Sequence, residues 1–237
     1  MNSPIHDPSA SPMPVLFIGH GNPMHAIRDN AFTRMLANLG RELPHPRAIL
    51  CISAHWMTRG MTAVTSSRQP ETIHDFAGFP QALFDVTYPA PGDPETAARI
   101  SSASSEPSIH IDGGAWGLDH GAWSILRHMY PAADVPVLQL SLDITEGPEF
   151  HFALGAKLKQ LRHEGVLIIG SGNVVHNLRQ VDFADDAPAL DWAVEFDEWL
   201  KQQLLDRNYS AVLRNATATS AGRLSIPTPE HWYPLLY

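Results

Sequence analysis

Val166-Leu-Ile-Ile-Gly-Ser-Gly-Asn-Val-Val-His-Asn177 is the stretch that decides the fold class. Its first four residues, Val166 to Ile169, are wholly apolar and favour extended backbone. A short run of that kind bounded by glycine reads as a strand buried on both faces. Gly170 and Gly172 then let the chain turn, and His176 follows in the loop. Two earlier stretches repeat the pattern. Val15-Leu-Phe-Ile18 runs into Gly19-His-Gly-Asn-Pro23, and Ala48-Ile-Leu-Cys-Ile52 runs into Ser53-Ala-His-Trp56. Three strands therefore end in loops that carry His20, His55 and His176. In an open α/β sheet, ligands bind beyond the carboxyl ends of the strands, where such loops converge. His120, in Trp116-Gly-Leu-Asp-His-Gly121, and His231, in Pro227-Thr-Pro-Glu-His231, lie in other loop segments that can reach the same end.

Working outward, helical patterns alternate with these strands. A helix is expected around Phe32 to Leu39, closed by Gly40. Others are expected over Asp93 to Ser101, with Pro94 in the first turn, and over Ala122 to Met129. Glu149 to Arg162 places Phe150, Ala153, Leu154, Leu158 and Leu161 on one face, and Ala189 to Leu205 turns Trp192, Phe196, Trp199 and Leu200 inward. Met61 to Thr65, Ser108 to Ile111 and Val137 to Leu140 read as further strands. The alternation predicts a single α/β domain: a central sheet, mostly parallel or mixed, flanked by helices, with its active site at the strand C-terminal ends. Pro70 to Gly92 is irregular and rich in Pro, Gly and aromatics. It is too long for a passive connection, and loops of that length are usually functional.

Composition narrows the function classes. The 237 residues are 44% apolar and 17% charged, which suits a folded globular chain rather than a disordered one. A net charge of −9 gives no attraction for nucleic acid or anionic membrane. No apolar run approaches the roughly 18 residues of a membrane span. One cysteine, Cys51, excludes an internal disulfide and a thiolate-rich zinc site, and its apolar neighbours mark it as a buried small side chain. Residues 1–14 read as a disordered lead-in rather than a signal peptide, residues 15–237 as the catalytic domain, and the cytoplasm as the expected location. The sequence sets no oligomeric state.

Thirteen histidines against sixteen Lys plus Arg are the unusual feature. His6, His45, His110, His128, His151 and His163 lack a glycine-loop context and read as surface or structural residues; His25 is intermediate. His74 sits in the long irregular loop and can line a pocket, together with Phe76, Phe79 and Tyr88. Neutral imidazoles suit Fe, Zn, Cu and Ni, so an open, histidine-rich metal site is the expected centre.

Seven ordered motifs carry a family resemblance. They are Gly19-His-Gly-Asn-Pro-Met24, Ser53-Ala-His-Trp56, Thr72-Ile-His-Asp-Phe-Ala-Gly-Phe-Pro80, Tyr88-Pro-Ala-Pro-Gly92, Trp116-Gly-Leu-Asp-His-Gly121, Gly172-Asn-Val-Val-His-Asn177 and Pro227-Thr-Pro-Glu-His231. From about Met13 to Tyr237 the chain resembles the 4,5-DOPA extradiol dioxygenase family, within the class III enzymes that include the B subunit of protocatechuate 4,5-dioxygenase. The resemblance implies a non-haem Fe(II) site and cleavage of a catechol, with O₂, to a ring-opened semialdehyde. By motif, it implies that His20, His55 and His231 are metal ligands. It implies that His176 is the active-site base and that His120 is the proton donor; in a zinc-loaded resting form, coordination chemistry also lets His176 approach as a fourth ligand.

Two departures stand out. Many relatives complete the triad with a carboxylate, where this chain has His231 beside Glu230; a three-histidine site also holds zinc readily. The chain stops at Tyr237 where relatives continue for a short segment, which reads as a truncated form or a missing last strand. Two other functions use the same histidines: a zinc hydrolase, with Glu230 or Asp119 activating water, and a non-catalytic metal-binding protein of the same fold, like the Memo proteins. Retention of both His120 and His176 argues against the latter.

Overall fold

The computed structural model describes residues 11–182, 184 and 187–237. In chain order it contains β1 (Val15–Gly19), α1 (Ala31–Glu42), β2 (Ala48–Thr58), β3 (Thr62–Val64), α2 (Gln81–Phe84) and α3 (Pro94–Ser102). There follow β4 (Ile109–Ile111), α4 (His120–Met129), β5 (Val137–Asp143), α5 (Pro148–Leu158), β6 (Val166–Gly172), α6 (Asp191–Leu205), α7 (Tyr209–Asn215) and α8 (Ser220–Ser225). The six strands form one sheet in the order β1-β6-β2-β5-β3-β4. The neighbours β1–β6, β6–β2, β2–β5 and β3–β4 are parallel, and a single antiparallel contact joins β3 to β5. The sheet is therefore mixed, as the alternation of strands and helices predicts.

Alternate residues of the central strands feed two cores. Leu50, Ile52 and Ile168 face α3, α5, α6 and the C-terminal turn, where Ile100, Leu154, Leu158, Phe196, Leu200 and Trp232 pack. Ile49, Cys51, Leu167 and Ile169 face α1 and α4, where Leu36, Trp123 and Leu126 pack. Both faces are covered, which is why Ala48–Ile52 and Val166–Ile169 are apolar at every position. Cys51 is fully buried.

Several boundaries differ from the sequence expectation. Gly40 does not close α1, which continues to Glu42; a Cβ at that position would collide with the Met129 carbonyl oxygen. The glycine marks the closest approach of α1 to α4. Gly170 and Gly172 lie inside β6 rather than in a turn. Side chains there would strike the carbonyl oxygens of Pro234 and His231, so they admit the C-terminal segment onto the sheet. β2 runs past Ile52 to Thr58, with a register shift between Ile52 and Met57. His55 is thus a strand residue and not a loop residue. α4 begins at His120, two residues earlier than expected, with Asp119 as its N-cap.

α5 ends at Leu158 and passes into a 3-10 turn over Lys159–Glu164. Its inward face presents His151 rather than Ala153: His151 is fully buried and Ala153 exposed. In the expected lead-in, residues 1–10 lie outside the described residues. Met13, however, is buried, and its backbone N–H donates to Arg162 O at 3.0 Å, so the ordered fold begins before Val15.

Candidate metal centre and active site

Three elements at one end of the sheet supply the central histidines. His20 follows β1 directly, and its backbone N–H donates to Gly172 O at 3.0 Å. His55 projects from β2 within the register shift between Ile52 and Met57. His231 lies in the turn after Pro227-Thr-Pro229, and its carbonyl oxygen accepts the Asn173 N–H at 3.1 Å. The ring centroids form a nearly equilateral triangle: 5.0 Å for His20–His55 and 5.1 Å for each of the pairs with His231. One ligand nitrogen from each residue lies within 4.8 Å of the other two. His20 Nε2 and His55 Nε2 are 3.3 Å apart, about the spacing of two nitrogens each roughly 2.0–2.1 Å from one tetrahedral ion.

Supporting hydrogen bonds orient these rings, as metal-ligating histidines require. His20 Nδ1 lies 2.9 Å from Ser171 Oγ, whose proton goes to the Gly121 carbonyl at 2.6 Å. Ser171 Oγ therefore accepts from His20 Nδ1–H, and the Nε2 lone pair is left for the centre. Asn173 accepts the Gly21 N–H on Oδ1 at 2.9 Å and places Nδ2 3.1 Å from His231 Nδ1. The donor set of three imidazoles fits an Fe(II) or Zn²⁺ ion; the support on His20 leaves its Nε2 free, whereas the Asn173 amide donates to His231 Nδ1.

The electrostatics agree. Burial, followed by the neighbouring imidazoles, holds His20 well below the ordinary histidine range and pushes His231 down to about 2. His55 is lowered by burial and His120 against the opposing pull of Asp119 and Asp75. Rings that resist protonation keep their lone pairs for a cation.

The two proton-transfer candidates flank this triangle. His176 stacks on His231 with centroids 3.4 Å apart and planes 18° apart, and it groups with Glu230 and His231. Burial lowers its pKa, while Glu230 pulls the other way. His120 opens α4 and is buried, its ring 3.9 Å from that of His55 and 5.5 Å from that of His20. Its sequence neighbour Asp119 faces away. Asp119 is fully buried and accepts from Ser53 Oγ at 2.7 Å and from Gln139 Nε2 at 2.6 Å. Asp75 holds His120 instead, through Oδ2 to Nδ1 at 2.9 Å.

Of the pocket residues expected from the irregular loop, Phe76 sets its edge against His120 at 5.4 Å and meets Phe79 at 5.3 Å. His74 bonds Val86 O through Nε2 at 3.0 Å and packs on Phe76 and Trp123. Tyr88 is a correction. It is buried in the core, and its hydroxyl donates to Tyr130 O at 3.0 Å, at the opposite end of α4 from His120. It does not face the triangle. Sequence reading missed Asp75, Ser171 and Asn173. Asp75 sits in the motif that supplied His74 and Phe76, but only the fold shows that it meets His120.

Comparison with known proteins shows the family of the chain. Residues 9–224 match the family described as the catalytic LigB subunit of aromatic ring-opening dioxygenase. The chain belongs to the LigB family. It is 48% identical over 231 residues to a 4,5-DOPA dioxygenase extradiol of Escherichia coli K12, covering 97% of this chain and 85% of that protein. A protein of the same name from Beta vulgaris is 42% identical over 92% of this chain and 83% of its own length. A crystal structure of an uncharacterized Escherichia coli K12 protein superposes with a TM-score of 0.81 at 42% identity, covering 95% of this chain and 87% of that one. This LigB-type chain is an extradiol ring-cleaving dioxygenase, an oxidoreductase of a metal-dependent family. No helix among its described residues is long and apolar enough to cross a membrane.

Proposed function

We propose that His20, His55 and His231 hold Fe(II), with Zn²⁺ as an alternative occupant, and that the substrate is a small DOPA-like catechol cleaved beside its hydroxyl pair. The observation that carries this reading is the equilateral triangle of imidazoles, with the proton of His20 turned away from its centre. When bound, the iron would supply one open face for both catechol oxygens and O₂ and a path for electrons between them.

The chain's own groups handle the protons. His176, whose pKa is lowered by partial burial, takes a proton from a catechol hydroxyl. His120 delivers a proton when the O–O bond breaks. His74, Phe76 and Phe79 wall the pocket beside His120 and pack on an aromatic ring. The single buried thiol, Cys51, fits the reducing cytoplasm as its location.

The test is to load the protein with Fe(II) under nitrogen, add a panel of catechols and admit air. Oxygen uptake matched by a yellow semialdehyde supports the reading. An iron-loaded protein that consumes no oxygen with any catechol, or a zinc form that hydrolyses esters or amides instead, would overturn it.

A further inference from the structure

One carboxylate meets two imidazoles. Asp75 Oδ2 lies 2.9 Å from His120 Nδ1 and 3.2 Å from His55 Nδ1, and Oδ1 accepts the His120 backbone N–H at 2.9 Å. Asp75 is partly buried. An ionised carboxylate only accepts hydrogen bonds. Each ring nitrogen that faces it must therefore carry the proton, which leaves Nε2 of both rings free. For His55 that is the nitrogen 3.3 Å from His20 Nε2, inside the triangle.

The backbone around Asp75 is built to keep it there. Ile73 N–H donates to Leu118 O at 2.7 Å, and Leu118 N–H donates to Glu71 O at 2.7 Å. The Trp123 indole donates to Ile73 O at 2.8 Å. A side chain at Gly117 would collide with the Glu71 carbonyl, so that glycine admits the contact. Across the loop, Thr72 Oγ1 accepts the Tyr88 N–H at 2.9 Å. The segment before Asp75 is thus zipped to the residues that lead into His120.

We propose that Asp75 is a positioning residue that sets the tautomers of His55 and His120 together, so that one carboxylate fixes both a metal-facing nitrogen and a proton-carrying one. The inference rests on the ligand and donor roles proposed above. With its Nδ1–H on Asp75, His120 takes the proton of the second catechol hydroxyl at Nε2. The imidazolium so formed keeps one N–H on the carboxylate and offers the other to the reacting oxygen. An asparagine at position 75 has one acceptor oxygen and a donating amide. It cannot accept from the His120 backbone N–H and from the rings at once; with its oxygen on that N–H, its amide donates to Nδ1, which moves that ring's proton to Nε2.

The experiment reads tautomers directly, from two-bond ¹H–¹⁵N imidazole spectra of ¹⁵N-labelled protein loaded with zinc. Wild-type His55 and His120 should both show protonated Nδ1. In Asp75→Asn, at least one ring should switch to Nε2–H, with zinc affinity about 10–100-fold lower. Turnover of the Fe(II)-saturated variant should fall on the order of 10²–10⁴-fold. Asp75→Glu should restore the Nδ1–H form and part of the affinity. Wild-type rings with bare Nδ1, or an Asp75→Asn variant with unchanged tautomers and zinc affinity, would overturn the proposal. The wild-type spectrum decides it even if the variant fails to fold. The His120 tautomer can also be read without zinc, so a site that failed to bind metal would count against the ligand assignment and leave this test standing.

Discussion

His176 and His120 flank the same triangle of imidazoles, yet substituting them should have different consequences from substituting its corners. His20→Ala, His55→Ala and His231→Ala each remove one of three donors with no spare. Metal affinity should drop by more than about 100-fold, beyond the loss typical of a supporting residue. Metal analysis after dialysis checks this, and full stoichiometry in any one variant removes that residue from the ligand set. His176→Ala should retain metal and lose turnover by about 10²–10⁴-fold. His120→Gln should bind catechol under nitrogen nearly as wild type and fail at the same scale in air. Weakened binding with intact turnover at saturation would make His120 a substrate contact. These five histidines were legible because His20, His55 and His176 follow apolar strand runs and because the motifs that carry all five occur in order. Asp75 was not: its partner lies 45 residues away, and no local pattern links a loop aspartate to the first residue of a helix.

Glycines decide the placement of elements more than their own conformation suggests. Gly172 carries the C-terminal turn so closely that any side chain would push back the His231 carbonyl. Gly172→Ala should therefore weaken metal binding although every ligand remains, and zinc titration of the folded variant measures it. Zinc affinity equal to wild type would show that the turn has slack. Gly40→Ala tests the other kind of contact, between α1 and α4. It should cost about 1–3 kcal/mol by overpacking and lower the melting temperature with little effect on metal. The sequence showed strand centres well and strand ends poorly. Apolar runs stop at the first polar residue, but Ser53 and His55 remain in β2 because Asp119 binds the serine hydroxyl and the triangle takes the imidazole. In the same way, a glycine needed for close packing looks, in sequence, like one needed for a turn.

At the scale of the molecule, the buried histidines make the metal-free protein acid-sensitive. His20, His55, His176 and His231 are all depressed in the folded state, and His151, buried away from the triangle, is lowered to about 4 from 6.5. Below pH 6.5 the unfolded chain binds these protons and the folded chain does not. Stability therefore falls as pH drops from about 6.5 toward each folded value and levels off beneath it. His151 alone accounts for roughly 3 kcal/mol at most. Melts of chelator-treated protein from pH 7.5 to 4.5 should show the decline, and His151→Phe should remove part of the slope; a flat profile contradicts the assignment. Zinc at 100 times its dissociation constant adds about 2.7 kcal/mol. For a chain of this size that raises the melting temperature by roughly 5–10 °C.

The triangle draws its corners from residues 20, 55 and 231, so the first and last are separated by most of the chain. A ribosome releases the His20 and His55 segments long before it makes His231. During that interval the nascent protein offers a growing metal-chelating stub with two imidazoles and no closing partner. With the proposed ligands, an ion would be held in full only once the His231 turn settles onto β6, so loading would wait until residue 231 has been made. On that ligand set, control of which ion is free at that moment would decide whether the site takes iron or zinc.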